Sequence, residues 1–202
     1  MTFSNTVLNG SIKYYLNKDN RTISGQTVYP NNYKYSTLRA YLNGRYEEND
    51  VQQNTYENCG FLQKAFSLAA QALILTTEVD NTLSSSKFKE DDNGNPIYAS
   101  EQIYICDNTN DKVFALNEYM TINFNGLYND FSEHKITDYA KANYAIFEEG
   151  QVGGGWLRTP YKSDSEACIY SFSTDTKFSS VDVMRNVLPA IKISVVLPWE
   201  NQ

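Results

Sequence analysis

Oxygen-bearing side chains crowd two short stretches of this chain, and oxygen ligands are what a calcium ion requires. Asp91-Asp92-Asn93-Gly94-Asn95 sets them at alternating positions. A calcium loop between two helices also needs glycine sixth and glutamate twelfth. Counted from Asp91, those places hold Pro96 and Gln102, so the stretch reads as a solvated turn. Asp107, Thr109 and Asp111 gather oxygens at a second tip, again with residues that turns use for backbone geometry. A zinc site would have to draw Cys59, Cys106, Cys168 and His134 from four distant segments, with no Cys-x-x-Cys pair to start it. No metal is expected.

Nucleophilic catalysis needs a nucleophile, a base and an orienting group in contact. His134, the only histidine, lies between Glu133 and Lys135 in a polar stretch and reads as solvent-exposed. No Gly-x-Ser-x-Gly elbow occurs. Gly153-Gly154-Gly155 leads into a strand, not a helix, so it is no phosphate cradle; it lets the chain turn where Trp156 packs. Among 24 acidic residues no two stand out as a glycosidase pair. The expectation is no catalytic residue, no cofactor and no enzyme. Arg158 differs, because it sits on an apolar-flanked strand that ends at Pro160. A guanidinium there needs carboxylate or carbonyl partners, which predicts an internal clamp between loops. Trp156, Arg158, Pro160 and Pro189 are therefore assigned structural roles.

Certain partners are excluded by composition. The net charge is -7 and no Lys/Arg cluster occurs, which argues against nucleic acid. No apolar run approaches about 20 residues, so no membrane span is expected, and Met1-Thr2-Phe3-Ser4-Asn5 lacks the pattern of a signal peptide. Three cysteines leave at least one free thiol, and the count allows one disulfide. Sixteen tyrosines in 202 residues suit strands, wet interfaces and sugar-stacking surfaces.

Elements must position these groups. Residues 1–35 read as an N-terminal β segment of the same domain, with a hairpin signal at Asn9-Gly10, a turn at Lys18-Asp19-Asn20 and an extended stretch over 22–29. Residues 36–202 form its body. Ser36 caps a helix whose Leu38, Tyr41, Leu42 and Tyr46 share one face. A second helix over 58–72 buries Phe61, Leu62, Ala65, Phe66, Ala69 and Leu73, and runs into a strand over 74–79. Residues 80–100 read as a long polar surface loop with a tight turn. A hairpin joins 103–106 to 112–116, Asn117 caps a turn over 118–120, and Thr137 caps another over 137–142. A hairpin joins 167–172 to 178–184, and a last strand over 187–197 is interrupted at Pro189. This order predicts an α+β fold with an antiparallel sheet and irregular loops.

Six motifs occur in a telling order: Ser36-Thr37-Leu38-Arg39-Ala40-Tyr41-Leu42-Asn43, Thr76-Thr77-Glu78-Val79-Asp80-Asn81, Lys112-Val113-Phe114-Ala115-Leu116, Thr137-Asp138-Tyr139-Ala140, Trp156-Leu157-Arg158-Thr159-Pro160 and Leu188-Pro189-Ala190. Together they resemble a bacterial and phage domain-of-unknown-function family with the signatures W-W-L-R-S-P and G-V-R-P-A. That family is similar to the formylglycine-generating-enzyme branch of the C-type-lectin-like fold. The resemblance implies small antiparallel sheets, flanking helices and long irregular loops, and a structural role for Arg158. Two departures matter. The final motif's glycine and arginine are Asn186 and Leu188 here, and the paired cysteines of the copper-dependent enzymes have no match. The calcium-and-sugar triplets of lectins, Glu-Pro-Asn and Gln-Pro-Asp, are absent too.

The resulting expectation is a non-enzymatic recognition module that binds a glycan or protein ligand at a bacterial surface or on a phage particle, hence extracellular or on a virion. Tyr98, Tyr128, Tyr161 and Trp199 are the candidate ligand-binding residues. A structural phage subunit in a tail, fibre or head decoration, forming a homo-oligomer, is the alternative. A glycan-active enzyme using carboxylates is the third reading.

Overall fold

The computed structural model describes residues 19–44, 46–48, 51–53, 56–121, 155–169, 177–183, 186–187 and 189–194. β1 (Arg21–Ile23) and β2 (Gln26–Val28) form a hairpin with Thr22 opposite Thr27. Ser24 and Gly25 both take positive φ, 49° and 79°, the sign pattern of a type I′ turn. The single extended stretch expected over 22–29 is thus two strands, because Ser-Gly reverses the chain at its middle.

α1 (Thr37–Asn43) starts at the expected cap. The Ser36 hydroxyl accepts the Arg39 N–H at 3.0 Å and donates to the Tyr33 carbonyl at 2.9 Å. Gly44, at φ 88°, ends the helix. Leu38, Tyr41 and Leu42 are buried. Tyr46 does not extend that helical face, since it lies in β3 (Tyr46–Glu48), which pairs with β4 (Val51–Gln53).

The helix expected over 58–72 is broken. α2 (Phe61–Ala65) and α3 (Leu68–Leu73) part at Phe66, whose backbone is extended. Ser67 accepts the Ala70 N–H and so starts a new helix instead of continuing the old one. Of the expected stripe, Phe61 and Leu62 are buried and Phe66 is half-buried, while Ala65, Ala69 and Leu73 are exposed.

β5 (Ile74–Leu75) and β6 (Thr77–Val79) follow, and they belong to different sheets. The stretch over 80–100 holds the expected tight turn at Asp91–Gly94, but it carries more regular structure than a loop. A 3-10 turn over Leu83–Ser86 enters a hairpin of β7 (Lys87–Glu90) and β8 (Pro96–Tyr98). Asp91 organises its tip, with Oδ1 accepting the N–H groups of Asn93 and Asn95 at 2.9 and 2.8 Å.

The remaining strands are β9 (Thr109–Asp111), β10 (Val113–Ala115), β11 (Gly155–Pro160), β12 (Glu166–Ile169), β13 (Lys177–Ser180), β14 (Asn186–Val187) and β15 (Pro189–Ile193). The hairpin expected to join 103–106 to 112–116 does not form, because the expected turn and the second arm take distant partners while the first arm stays out of any sheet. β9 pairs with β6, β10 pairs with β15, and 103–108 carries no strand. The hairpin expected near 167–184 is present as β12 and β13, with Cys168 opposite Phe178.

Two sheets frame the core. One has the order β13-β12-β11-β14, with β11 and β14 parallel and the other pairs antiparallel; the other runs β10-β15-β5. The chain crosses from the first sheet to the second just before Pro189, which stands opposite Ala115. Leu38, Leu42, Phe61, Val113, Trp156 and Val187 pack together between the helices and both sheets. Asn43 ties α1 to β10, its Oδ1 accepting the N–H groups of Lys112 and Val113 and its Nδ2 donating to the Val113 carbonyl. The β1–β2 hairpin joins the same body, since Ile23 packs with Tyr35 and Ala40 and Asn31 donates to the carbonyls of Ser163 and Glu166. Small antiparallel sheets with a few short helices make this a mixed α+β fold. The Asn9-Gly10 hairpin, the turn over 137–142, His134, Tyr128 and Trp199 lie outside the described residues.

Candidate functional site

A cleft of about 480 Å³ opens where β6, the 3-10 turn, β10, the turn after Asn117, β11 and β15 converge. Its size is in the range of small-ligand pockets, about 300–1,000 Å³. The lining combines Val79, Phe114, Tyr119 and Met120 with Glu78, Asp80, Lys87, Arg158 and Lys192. Phe114 and Arg158 reach it from neighbouring strands, while Tyr119 and Met120 come from the turn that Asn117 caps. The Asn117 Oδ1 accepts the Met120 N–H at 2.7 Å, so one side chain both starts that turn and lines the cleft.

Arg158 forms the inner wall. It is 2% exposed, and its Nη1 donates to the Ala115 carbonyl at 2.6 Å. Its Nη2 donates to the Asp80 carbonyl at 3.2 Å, and its guanidinium carbon lies 5.7 Å from the Phe114 ring centre. These contacts bridge the loop after β6 to β10, across the floor of the cleft. Partial burial alone would push the Asp80 carboxyl up. Hydrogen bonds from Thr82 and Ser84, with the charge of Arg158, hold it below the usual carboxylate range instead.

A second, more polar hollow of about 620 Å³ lies beyond the same loop, lined by Thr27, Lys34, Cys106, Asp107 and Asn108 among others. Asp80 faces the first cleft and Thr82 the second. Asn81 between them is buried, its Nδ2 donating to the Asp107 carbonyl and to the Thr109 hydroxyl. Lys34 in this hollow is bound to Asp107 at 2.9 Å. Desolvation pushes the Cys106 thiol up to about 11, which leaves it protonated and a poor nucleophile at neutral pH. The first cleft, with an apolar floor and convergent polar groups, is the better candidate.

Of the ligand-binding residues expected from sequence, the two that are described, Tyr98 and Tyr161, fall elsewhere. Tyr98 is half-buried at the end of β8, opposite Lys87. Tyr161 is half-buried and stacks on Phe178, with ring centres 4.0 Å apart. Neither lines either cleft. Trp156 is wholly buried in the main core, Pro160 ends β11 opposite Ala167, and Pro189 opens β15. Asn117 reads from sequence only as a cap, and Phe114, Tyr119, Met120 and Lys192 carry no signal of a site, because long-range strand pairing and the turn after Asn117 bring them together. No disulfide joins Cys59, Cys106 or Cys168 to another of them. Among the described residues no group of three His, Cys, Asp or Glu side chains could hold a metal ion, and no helix is long and apolar enough to cross a membrane.

No curated protein and no solved structure matches this chain. A family pattern does match, over residues 5–195, and so spans most of the length and every element that builds the cleft. The chain belongs to the family described as a domain of unknown function, DUF6273.

Proposed function

We propose that this domain is a non-enzymatic recognition module and that it seats its ligand in the cleft over Phe114. The observation that carries this reading is the pairing of an apolar floor with polar groups fixed on strands and a capped turn. A rigid sheet carrying a small aromatic hollow suits binding, and in such a layout the loops set specificity. The scaffold itself is proposed to be C-type-lectin-like, which its small sheets and short helices support. A bacterial surface or a phage particle is the proposed setting, with a glycan or a protein as ligand class. The test is a binding screen of the full chain against glycan and protein panels, with Phe114→Ala and Tyr119→Ala beside it. Signals above background that both substitutions abolish are expected. A blank screen, or binding indifferent to both changes, counts against the module.

One observation favours a second reading, an assembly subunit. α3 buries no residue, with Leu68 84% and Leu73 58% exposed, and Leu75 beside it on β5 is exposed as well. Apolar surface of this kind is used between copies of a chain. Light scattering decides it: a symmetric oligomer that Leu68→Glu dissociates supports assembly, and a monomer at all concentrations rejects it.

A further inference from the structure

We infer that the cleft takes an acidic sugar, its carboxylate held by Lys192 and an acceptor oxygen held by Asn117; this rests on the recognition reading above. The charged groups that line the cleft are nearly all engaged within the protein. Glu78 accepts from Asn108 Nδ2 at 3.2 Å, Asp80 from Thr82 and Ser84, Lys87 is bound to Glu90, and Arg158 donates to two carbonyls. Lys192 is the exception: its ammonium makes no hydrogen bond or ion pair among the described residues. An ammonium at the rim of an apolar hollow is a point charge suited to an anion.

Asn117 supplies the second observation. The residue is 3% exposed and lines the cleft, and its Oδ1 is taken by the Met120 N–H. Its Nδ2 bonds to none of the described residues. An amide nitrogen carries two donors, and this one is not sealed off in the interior but opens on the cleft, where a ligand acceptor can take it. Both available groups are therefore donors, one of them charged, so the complementary ligand presents acceptors with negative charge at one end. The half-exposed Tyr119 ring beside them asks for an apolar face. A carboxylated pyranose combines all three: a carboxylate, acceptor hydroxyls and a C–H face. A neutral sugar leaves Lys192 without a counter-charge. An acidic peptide needs a longer groove and more than one available cation.

The experiment is calorimetric titration of the full chain with oligosaccharides ending in sialate or glucuronate, each against its counterpart with the carboxylate reduced to hydroxymethyl. Lys192→Gln removes the charge and Lys192→Arg keeps it. Asn117→Asp keeps the acceptor that caps the turn but replaces the donor. The acidic ligand is expected to bind about tenfold tighter than its reduced form, with Lys192→Gln and Asn117→Asp each losing about tenfold and Lys192→Arg recovering most of it. Equal binding of both forms, unmoved by Lys192→Gln, overturns the acidic-sugar assignment and leaves the recognition reading standing. Binding of a carboxylate-rich peptide in the cleft, in place of any sugar, overturns the sugar assignment likewise. Absence of binding to every glycan and peptide offered removes both readings. Lys192 is exposed, so an unchanged thermal melt for its variants separates lost affinity from lost folding.

Discussion

Two buried arginines divide this molecule into regions that handle charge differently. Arg39, in α1, donates from Nε to Asp111 at 2.8 Å, and both residues are almost wholly buried. Asp111 in turn accepts the Thr109 hydroxyl at 2.8 Å, and Arg39 also donates to the Lys34 carbonyl at 2.9 Å. Arg158, on β11, reaches two carbonyls and lies against a ring at the wall of a cleft. The first arrangement sits deep and fixes the register of α1 against β9. The second spans a loop and a strand while leaving one flank on open space. The contrast teaches that one buried guanidinium closes a core when it lies deep between elements, while another shapes a cavity when it lies at an edge.

The largest expected effect tests the closed side. Asp111→Ala strands the Arg39 charge and should cost about 3–5 kcal/mol in urea unfolding; a loss below about 1 kcal/mol would put the pair on a par with an exposed one and end the contrast. Replacing both partners at once, Arg39→Met with Asp111→Leu, should recover most of that loss. Next comes the edge. Arg158→Lys cannot reach both carbonyls from one ammonium and should cost about 2 kcal/mol. A cost equal to that of Asp111→Ala would show that the two regions do not differ. Phe114→Leu removes the ring face under Arg158 and should cost about 1 kcal/mol, more than the same change at exposed Phe178. The smallest effect belongs to Asp80. Its folded carboxyl is held below the unfolded value near 3.9, so its contribution is present above that pH and is lost as pH falls through the folded value. Asp80→Asn should thus be slightly less stable than the parent at pH 7 and equal to it in strong acid, a gap well under 1 kcal/mol because most of the side chain meets water.

Local chemistry was the legible part of the sequence. Ser36 and Asn117 cap where their types and spacing place them, and β12 pairs with β13 where a hairpin is expected. Contacts between segments far apart in sequence were not legible. Val113, Phe114 and Ala115 read as one arm of a local hairpin, yet they pair with residues 189–191, because burial against α1 and β11 outweighs the short loop at 107–111. The continuous helix failed at Ser67, whose type serves a cap as well as an exposed helical position. The cleft was invisible for the same reason as the β10–β15 pairing. Its wall assembles from four stretches whose individual residues are ordinary, and Tyr98 and Tyr161, which stand out in the sequence, stay outside it.

β15 is the middle strand of its sheet, although it comes after both of its neighbours in the chain. On a ribosome, residues 74–75 and 113–115 must therefore wait for the β15 partner that is not yet synthesised. The same late segment supplies the fourth strand of the other sheet just before it crosses over. Translation thus leaves the completion of both layers to one late stretch, and a nascent chain stalled before residue 186 holds neither of them complete.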